Sequence, residues 1–291
     1  MEIRREKGKV LVTIEEETKS ISQWATQYNI SEKTLAGRIN AGWEEKDLFN
    51  PPGQWKRKPK FNEQYFDEID DEHKAYWIGF IWADGYMAIR NRENRISYEF
   101  KLSLKQDDWE HLIKFNNDLN GKYNVKFYNQ QTSFGEYTEA RLLITNQHFG
   151  KTLSEKYGIV PHRSDCSKII QSIPEHLMKH FIRGLIDADG SFTYYTIPGS
   201  CQEYDKFSLM IGSNENILRN IELYLINNNL INDGSRKFYQ RHDGQDGEYK
   251  SLQLSGRVQV IGVLNHIYED ATIYLNRKYI KYLDVVRSGG M

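Results

Sequence analysis

The sequence predicts an α+β protein, a duplicated α+β unit preceded by a small all-α helix-turn-helix. Three observations lead there. Helix and strand signals recur in one order twice after residue 71. The first helix of each pass ends in Gly-x-Ile-x-Ala-Asp-Gly, once at Gly79–Gly85 and again at Gly184–Gly190, roughly a hundred residues later. The first fifty residues carry helix caps and turns but share nothing with that repeat. The chain of 291 residues suits two compact domains, or one large domain with an appendage. With 39% hydrophobic and 13% aromatic residues it can bury real cores, which excludes wholesale disorder.

The elements follow in order. Ser20 caps a short helix over residues 21–28, Asn29 and Ile30 make a turn, and Ser31 caps a second helix over 32–41, closed by Gly42. Two short helices joined so tightly read as a helix-turn-helix, assigned to residues 1–50. Pro51, Pro52 and Gly53 stop a third short helix. A basic, proline-interrupted linker then spans residues 51–71, with Lys56, Arg57 and Lys58 as candidate phosphate contacts. The first unit, 72–173, has a helix at 72–83, strands at 86–90 and 96–105, a helix at 108–119, strands at 123–128 and 137–145, and a helix at 148–157. In the second strand Phe100, Leu102 and Leu104 alternate with Lys101, Ser103 and Lys105, the period of a half-buried strand. The second unit, 174–291, starts at Pro174 as a first helical residue. Its helix reaches 188, with strands at 192–197 and 206–211, a helix at 215–227, strands at 235–241 and 249–254, and helices at 258–268 and 278–286.

Charge and cysteines narrow the function classes. A net charge of −1 excludes a uniformly basic nucleic-acid binder, so any binding charge must be local. The two cysteines, Cys166 and Cys201, have no metal-ligand spacing and no disulfide framework, which fits a reducing compartment. No long apolar run appears, and residues 1–9 lack a signal-peptide core, so a soluble protein without a membrane partner is expected.

The repeated motif carries the chemistry. Gly79 and Gly184 lie inside apolar helices, where glycine costs about 1 kcal/mol against alanine; close approach of two backbones is the reason to expect. Gly85 and Gly190 follow the helix ends, where a left-handed residue is expected. Asp84 and Asp189 are then the last side chains before each stop, facing the unfavourable end of the helix dipole. If the two helices pack side by side in parallel, both carboxylates meet at one end, and a cation between them offsets their repulsion. Oxygen ligands with open water positions suit Mg²⁺, two or more ions shared between the aspartates, and such a centre serves in-line phosphodiester hydrolysis.

Over residues 72–286 these motifs resemble the paired signature helices of the single-chain LAGLIDADG homing endonucleases. The resemblance implies two pseudo-symmetric αββαββα units whose antiparallel sheets form a saddle over double-stranded DNA, in a monomer with internal pseudo-twofold symmetry. It implies that Asp84 and Asp189 ligate the catalytic metals, and that the chain hydrolyses both strands at a specific site. One departure is Trp82, where the family carries its first motif acid, kept here as Asp187 and mainly structural in the family. Gly158-Ile159-Val160-Pro161-His162-Arg163-Ser164 is similar to a segment carrying an active-site cation, which points to Arg163, and Leu275-Asn276-Arg277-Lys278-Tyr279 points to Lys278. The polar residue ending the second strand is Lys105 or Gln106, with Gly212-Ser213-Asn214 as its counterpart.

The expected reading surface comprises Arg90, Lys101, Ser103, Lys105, Lys126 and Tyr128 in the first unit, and Thr193, Tyr195, Lys206, Ser208 and Arg241 in the second. The helix-turn-helix, similar to those of phage and bacterial endonucleases, is expected to contact DNA through Lys33, Thr34 and Arg38. That resemblance implies the cytoplasm of a bacterial or phage-infected cell, and intron homing as the setting. Two other readings stay open: a DNA-binding regulator on a catalytically weak form of the fold, against which both acids argue, and an intron RNA maturase, for which RNA is the partner.

Overall fold

The computed structural model describes residues 2–6, 9–50, 60–92, 95–132, 135–161, 166–198, 203–232, 236–240 and 249–289. The chain divides into two compact units, residues 1–59 and 60–291.

The first unit is not all-α. Strands β1 (Glu2–Glu6), β2 (Lys9–Ile14) and β3 (Glu17–Ser20) form an antiparallel sheet ahead of the helices. Val12 and Ile14 point from β2 into the small core, an alternation too short to separate from loop by periodicity. Helices α1 (Ile21–Gln27) and α2 (Glu32–Asn40) follow. Ser20 and Gln23 make a reciprocal capping box, Ser31 caps α2, and Gly42 takes the left-handed conformation at φ 70°. The third helical element is one 3₁₀ turn, Glu45–Asp47. Trp24, Leu35, Ile39 and Leu48 fill the core with Val12, and the Trp24 indole donates to Val12 O at 2.8 Å.

The second unit begins before the expected boundary. Residues 60–69 are packed rather than linker-like: Phe61, Phe66 and Ile69 are buried, Asn62 N–H donates to Leu119 O, and Tyr157 Oη donates to Phe66 O. Then come α3 (Glu72–Asp84), β4 (Gly85–Arg92), β5 (Arg95–Lys105), α4 (Trp109–Asp118), β6 (Lys126–Thr132), β7 (Gly135–Thr145) and α5 (Gln147–Glu155). A short helix, α6 (Ser167–Ser172), leads to the repeat: α7 (Met178–Asp189), β8 (Ser191–Ile197), β9 (Tyr204–Asn214), α8 (Glu215–Asn227), β10 (Arg236–Gln240), β11 (Tyr249–Ser255) and α9 (Arg257–Tyr268). Helix α10 (Asn276–Gly289) ends the chain. Pro174 precedes a single 3₁₀ turn, Glu175–Leu177, instead of opening α7.

The two sheets share one topology. Their strand orders are β4-β5-β7-β6 and β8-β9-β11-β10, antiparallel throughout. One face of each sheet packs on helices: Met87, Phe100, Leu102, Leu142 and Ile144 in the first, Phe192, Phe207, Leu209, Ile211 and Leu252 in the second. The other face is open. Between the sheets run α3 and α7, and α3 is buried on all sides from Ala75 to Trp82, as a helix without a polar face must be.

Candidate active site

The pair α3–α7 sets the site. At Gly79 an added Cβ would stand 2.1 Å from the carbonyl oxygen of Phe181, and at Gly184 it would stand 2.0 Å from that of Tyr76. Backbone therefore touches backbone at both glycines, as the cost of glycine in two apolar helices requires. Contacts at the two ends fix the direction. Near the start of α3, the Glu72 carboxylate accepts from Arg183 Nη2 at 2.6 Å and lies 3.7 Å from His180 Nδ1, in the first turns of α7. Near its end, Trp82 Nε1 donates to Ser213 Oγ, beside Gly212, where an added Cβ would lie 3.2 Å from Asp189 Oδ2. The helices thus run parallel, and both terminal aspartates come to the same end, with exposed side chains.

The glycines after the aspartates act otherwise than expected. Gly85 and Gly190 are extended, at φ −74° and −83°, not left-handed. They are small because the chain turns sharply back against its own helix: a Cβ would meet Ile81 O at 2.6 Å at Gly85 and Ile186 Cα at 2.7 Å at Gly190. Each aspartate is thereby the hinge between a buried helix and a strand on the open sheet face.

A buried polar cluster holds α7 in place. Asp187 is wholly buried and accepts from Tyr76 Oη (2.8 Å), Tyr268 Oη (2.5 Å) and Leu275 N–H (2.7 Å), tying α3, α9 and the approach to α10 to one carboxylate. Burial pushes its carboxyl above the ordinary value, against the lowering effect of those three donors. The Tyr76 proton being committed to Asp187, His111 Nε2 donates to Tyr76 Oη at 2.8 Å, and burial holds that imidazole neutral, well below its usual pKa. Trp82, at the matching position of α3, is instead packed in the core. This pattern agrees with a structural role for the first motif position.

Lys278 requires a correction. It is 7% exposed, and its ammonium donates to the carbonyls of Ile186 (3.1 Å) and Gly190, so it binds the C-terminal end of α7 instead of facing the groove. Burial, then the neighbouring Arg277 charge, lowers its pKa to about 8. Arg38 is corrected likewise. It is 6% exposed, donates to Leu48 O and Asn50 O, both at 2.7 Å, and lies over the Trp43 ring, so it closes the core of the N-terminal unit. Lys33 is exposed and Thr34 half-buried, its hydroxyl 2.6 Å from that of Ser31. Lys56, Arg57, Lys58, Arg163 and Arg241 lie outside the described residues.

The remaining candidates do share the open sheet faces. In the first sheet, register rows place Tyr86–Lys101–Leu143, Arg90–Ser97 and Lys105–Glu139–Tyr128 on the face opposite the core, with Lys126 beside Arg141. Cations predominate there: Arg90 pairs with Glu99 at 3.3 Å and Arg141 with Glu139 at 3.1 Å, while Lys101, Lys105 and Lys126 add charge. Lys101 sits over the Tyr86 ring and Arg141 over Tyr128, which spreads both aromatics across the face. Ser103 is on this face, but its hydroxyl is covered beside Glu139. In the second sheet Thr193, Tyr195 and Lys206 are exposed, Lys206 lying over the Tyr195 ring, and Ser208 accepts from Gln253 Nε2 at 3.2 Å. Arg141, Glu139, Gln253 and Tyr249 belong to these rows and were not among the expected site residues; only strand register identifies them.

Comparison with solved structures agrees with this fold. The I-LtrWI LAGLIDADG homing endonuclease bound to target DNA is 11% identical, with 79% of this chain and 91% of that one covered at a TM-score of 0.50. I-SmaMI, bound to an uncleaved DNA target in the presence of calcium ions, is 13% identical, with 76% and 91% covered at 0.52. The I-GzeII LAGLIDADG homing endonuclease in complex with its DNA target is 14% identical, with 75% and 90% covered at 0.50. The chain therefore has the LAGLIDADG homing-endonuclease fold. No family model and no curated protein matches it. Among the described residues no helix is long and apolar enough to cross a membrane.

Proposed function

We propose that this protein is a site-specific, metal-dependent endonuclease of double-stranded DNA. The observation that carries the reading is the parallel α3–α7 pair, which puts Asp84 and Asp189 at one end of the pair, where both sheets begin. Two carboxylates at two helix C-termini concentrate negative charge, which favours a divalent cation there. Among the described residues no group of three or more His, Cys, Asp or Glu side chains could hold a metal ion, so the protein donors there are the two carboxylates. That donor set suits Mg²⁺, which is commonly held by one or two carboxylates with water and substrate phosphates completing the shell. When bound, such ions lower the pKa of water and neutralise charge on the attacking and leaving oxygens.

The chain's own residues do the rest. Asp84 and Asp189 would hold the ions. The open sheet faces lay ribbons along the major groove, where Arg90, Lys101, Lys126 and Tyr195 meet phosphates and base edges. Lys105, at the end of β5, supplies a cation toward the central phosphates. Lys278 and Asp187 keep the end of α7 in place and touch no substrate. The N-terminal unit adds affinity through Lys33 and Thr34 on α2.

Cleavage selection on a randomised duplex library with Mg²⁺, followed by sequencing of the cut ends, tests the reading. Wild type should yield one long site, while Asp84→Asn and Asp189→Asn should bind that site without cutting it. Variants that cut at the wild-type rate would remove both aspartates from the metal site.

A further inference from the structure

The sheet registers allow the two halves of the site to be compared residue by residue. Tyr86, two positions past Asp84, pairs with Lys101; Ser191, two positions past Asp189, pairs with Met210. Counting outward from those rows, Lys105 corresponds to Asn214, Ser103 to Gly212 and, across the next ladder, Glu139 to Tyr249. The corresponding residues differ in chemistry. Asn214 caps α8 by accepting from Asn216 N–H at 3.0 Å. Glu139 accepts from Arg141 at 3.1 and 3.3 Å. Tyr249 instead donates its hydroxyl proton to Asp189 Oδ2.

Gly212 makes that contact possible. A Cβ at this position would stand 2.8 Å from Tyr249 Oη and 3.2 Å from Asp189 Oδ2, so the hydroxyl and the carboxylate occupy the volume that a side chain would take. The first of the two four-stranded sheets has a serine, Ser103, at the same register. Tyr249 has one proton to give, and a hydrogen bond to an ionised acceptor is among the stronger kinds.

We propose that Tyr249 is a positioning residue for the second half of the site. Its hydroxyl holds one oxygen of Asp189 and turns the other toward the groove for a divalent cation. This rests on the nuclease reading above. Partners that orient a metal-binding carboxylate typically contribute about 10–100-fold to affinity. The tyrosine raises that of the second half without entering the coordination shell.

The test is calorimetric titration of the full chain with Mn²⁺, followed by plasmid cleavage at the selected site. Tyr249→Phe removes only the hydroxyl. Gly212→Ala keeps it, but its methyl group takes the hydroxyl's space. Tyr194→Phe is the control, since Tyr194 stacks on Phe207 on the opposite face of the same strand pair. Tyr249→Phe and Gly212→Ala should each weaken Mn²⁺ binding by about 10–100-fold at unchanged Tm, and Tyr249→Phe should accumulate nicked circles. Tyr194→Phe should match wild type. If Gly212→Ala lowers Tm, Tyr249→Phe decides alone. Wild-type Mn²⁺ affinity in Tyr249→Phe overturns this proposal and leaves the nuclease reading standing. A wild-type chain that neither binds Mn²⁺ nor cuts DNA overturns both.

Discussion

Replacing Gly184 by alanine is the sharpest probe of the helix pair. The new methyl carbon would stand 2.0 Å from Tyr76 O and 2.9 Å from Phe80 N, both backbone atoms of α3 that cannot rotate away. An acceptable carbon–oxygen separation is about 3.3–3.6 Å, so α7 must retreat by about 1 Å or more. Overpacking of this kind costs about 1–3 kcal/mol and sometimes more. A gap of about that width also forfeits a quarter to a half of each dispersion contact along the seam. Against this stands the helix propensity of alanine over glycine, about 1 kcal/mol. Overpacking less the propensity gain leaves a loss of up to about 2 kcal/mol, and the forfeited dispersion adds to it. Gly262, in α9 of the same unit, has nothing within 4 Å of an added Cβ. Gly262→Ala should therefore show the propensity gain alone, a stabilisation of up to about 1 kcal/mol. Urea unfolding followed by tryptophan fluorescence reads both, since Trp77 and Trp82 lie in α3 beside the seam. Equal stability of Gly184→Ala and wild type would refute the close-packed parallel pair, and with it the placement of both aspartates at one end. Where Gly184→Ala remains folded, cutting should slow at least about tenfold, because displacing positioned groups by about 1 Å can cost far more than the binding lost.

Other outcomes follow from the same geometry. Asp187→Asn leaves one of its three donors without an acceptor and should cost about 1–3 kcal/mol in urea unfolding, while DNA binding by the folded fraction is retained. Lys278 titrates near pH 8 in the folded chain and at about 10.4 unfolded, so the unfolded state holds the extra proton between these values. Its burial penalty is present in full below pH 8 and is relieved as pH rises. Wild type should accordingly gain about 3 kcal/mol relative to Lys278→Met between pH 7.5 and 10.5, and a flat difference would contradict the burial of a charged ammonium. Arg38→Met removes two donors to the Leu48 and Asn50 carbonyls and should unfold the N-terminal unit at lower urea without altering cleavage by the second unit. Deletion of residues 1–50 should weaken or relax target choice and spare the chemistry, as an electrophoretic mobility assay beside a cleavage assay will read.

Much of the fold is legible along the chain because its signals are local. Alternation marks β5, where Phe100, Leu102 and Leu104 are all buried, and capping chemistry marks α1 and α2. The duplicated Gly-x-Ile-x-Ala-Asp-Gly announces both the internal symmetry and the two aspartates, since a costly residue repeated in one frame needs a shared reason. The small sheet ahead of α1 escapes such reading because its strands are four to six residues long. Arg38 and Lys278 misled for a different cause. A cation's type says nothing about whether its stem lies along a surface or beneath a helix end, and only packing against Leu48 or Ile186 decides that. Gly85 and Gly190 were legible as obligatory glycines, yet crowding by Ile81 and Ile186, not backbone handedness, explains them. What the residues determine by themselves is thus the element order, the repeat and the acids at its helix ends, all encoded within a turn or a strand's length. Tertiary structure alone decides which side chains on neighbouring strands face each other, because register is set by long-range pairing, and Tyr249 reaches Asp189 from sixty residues away.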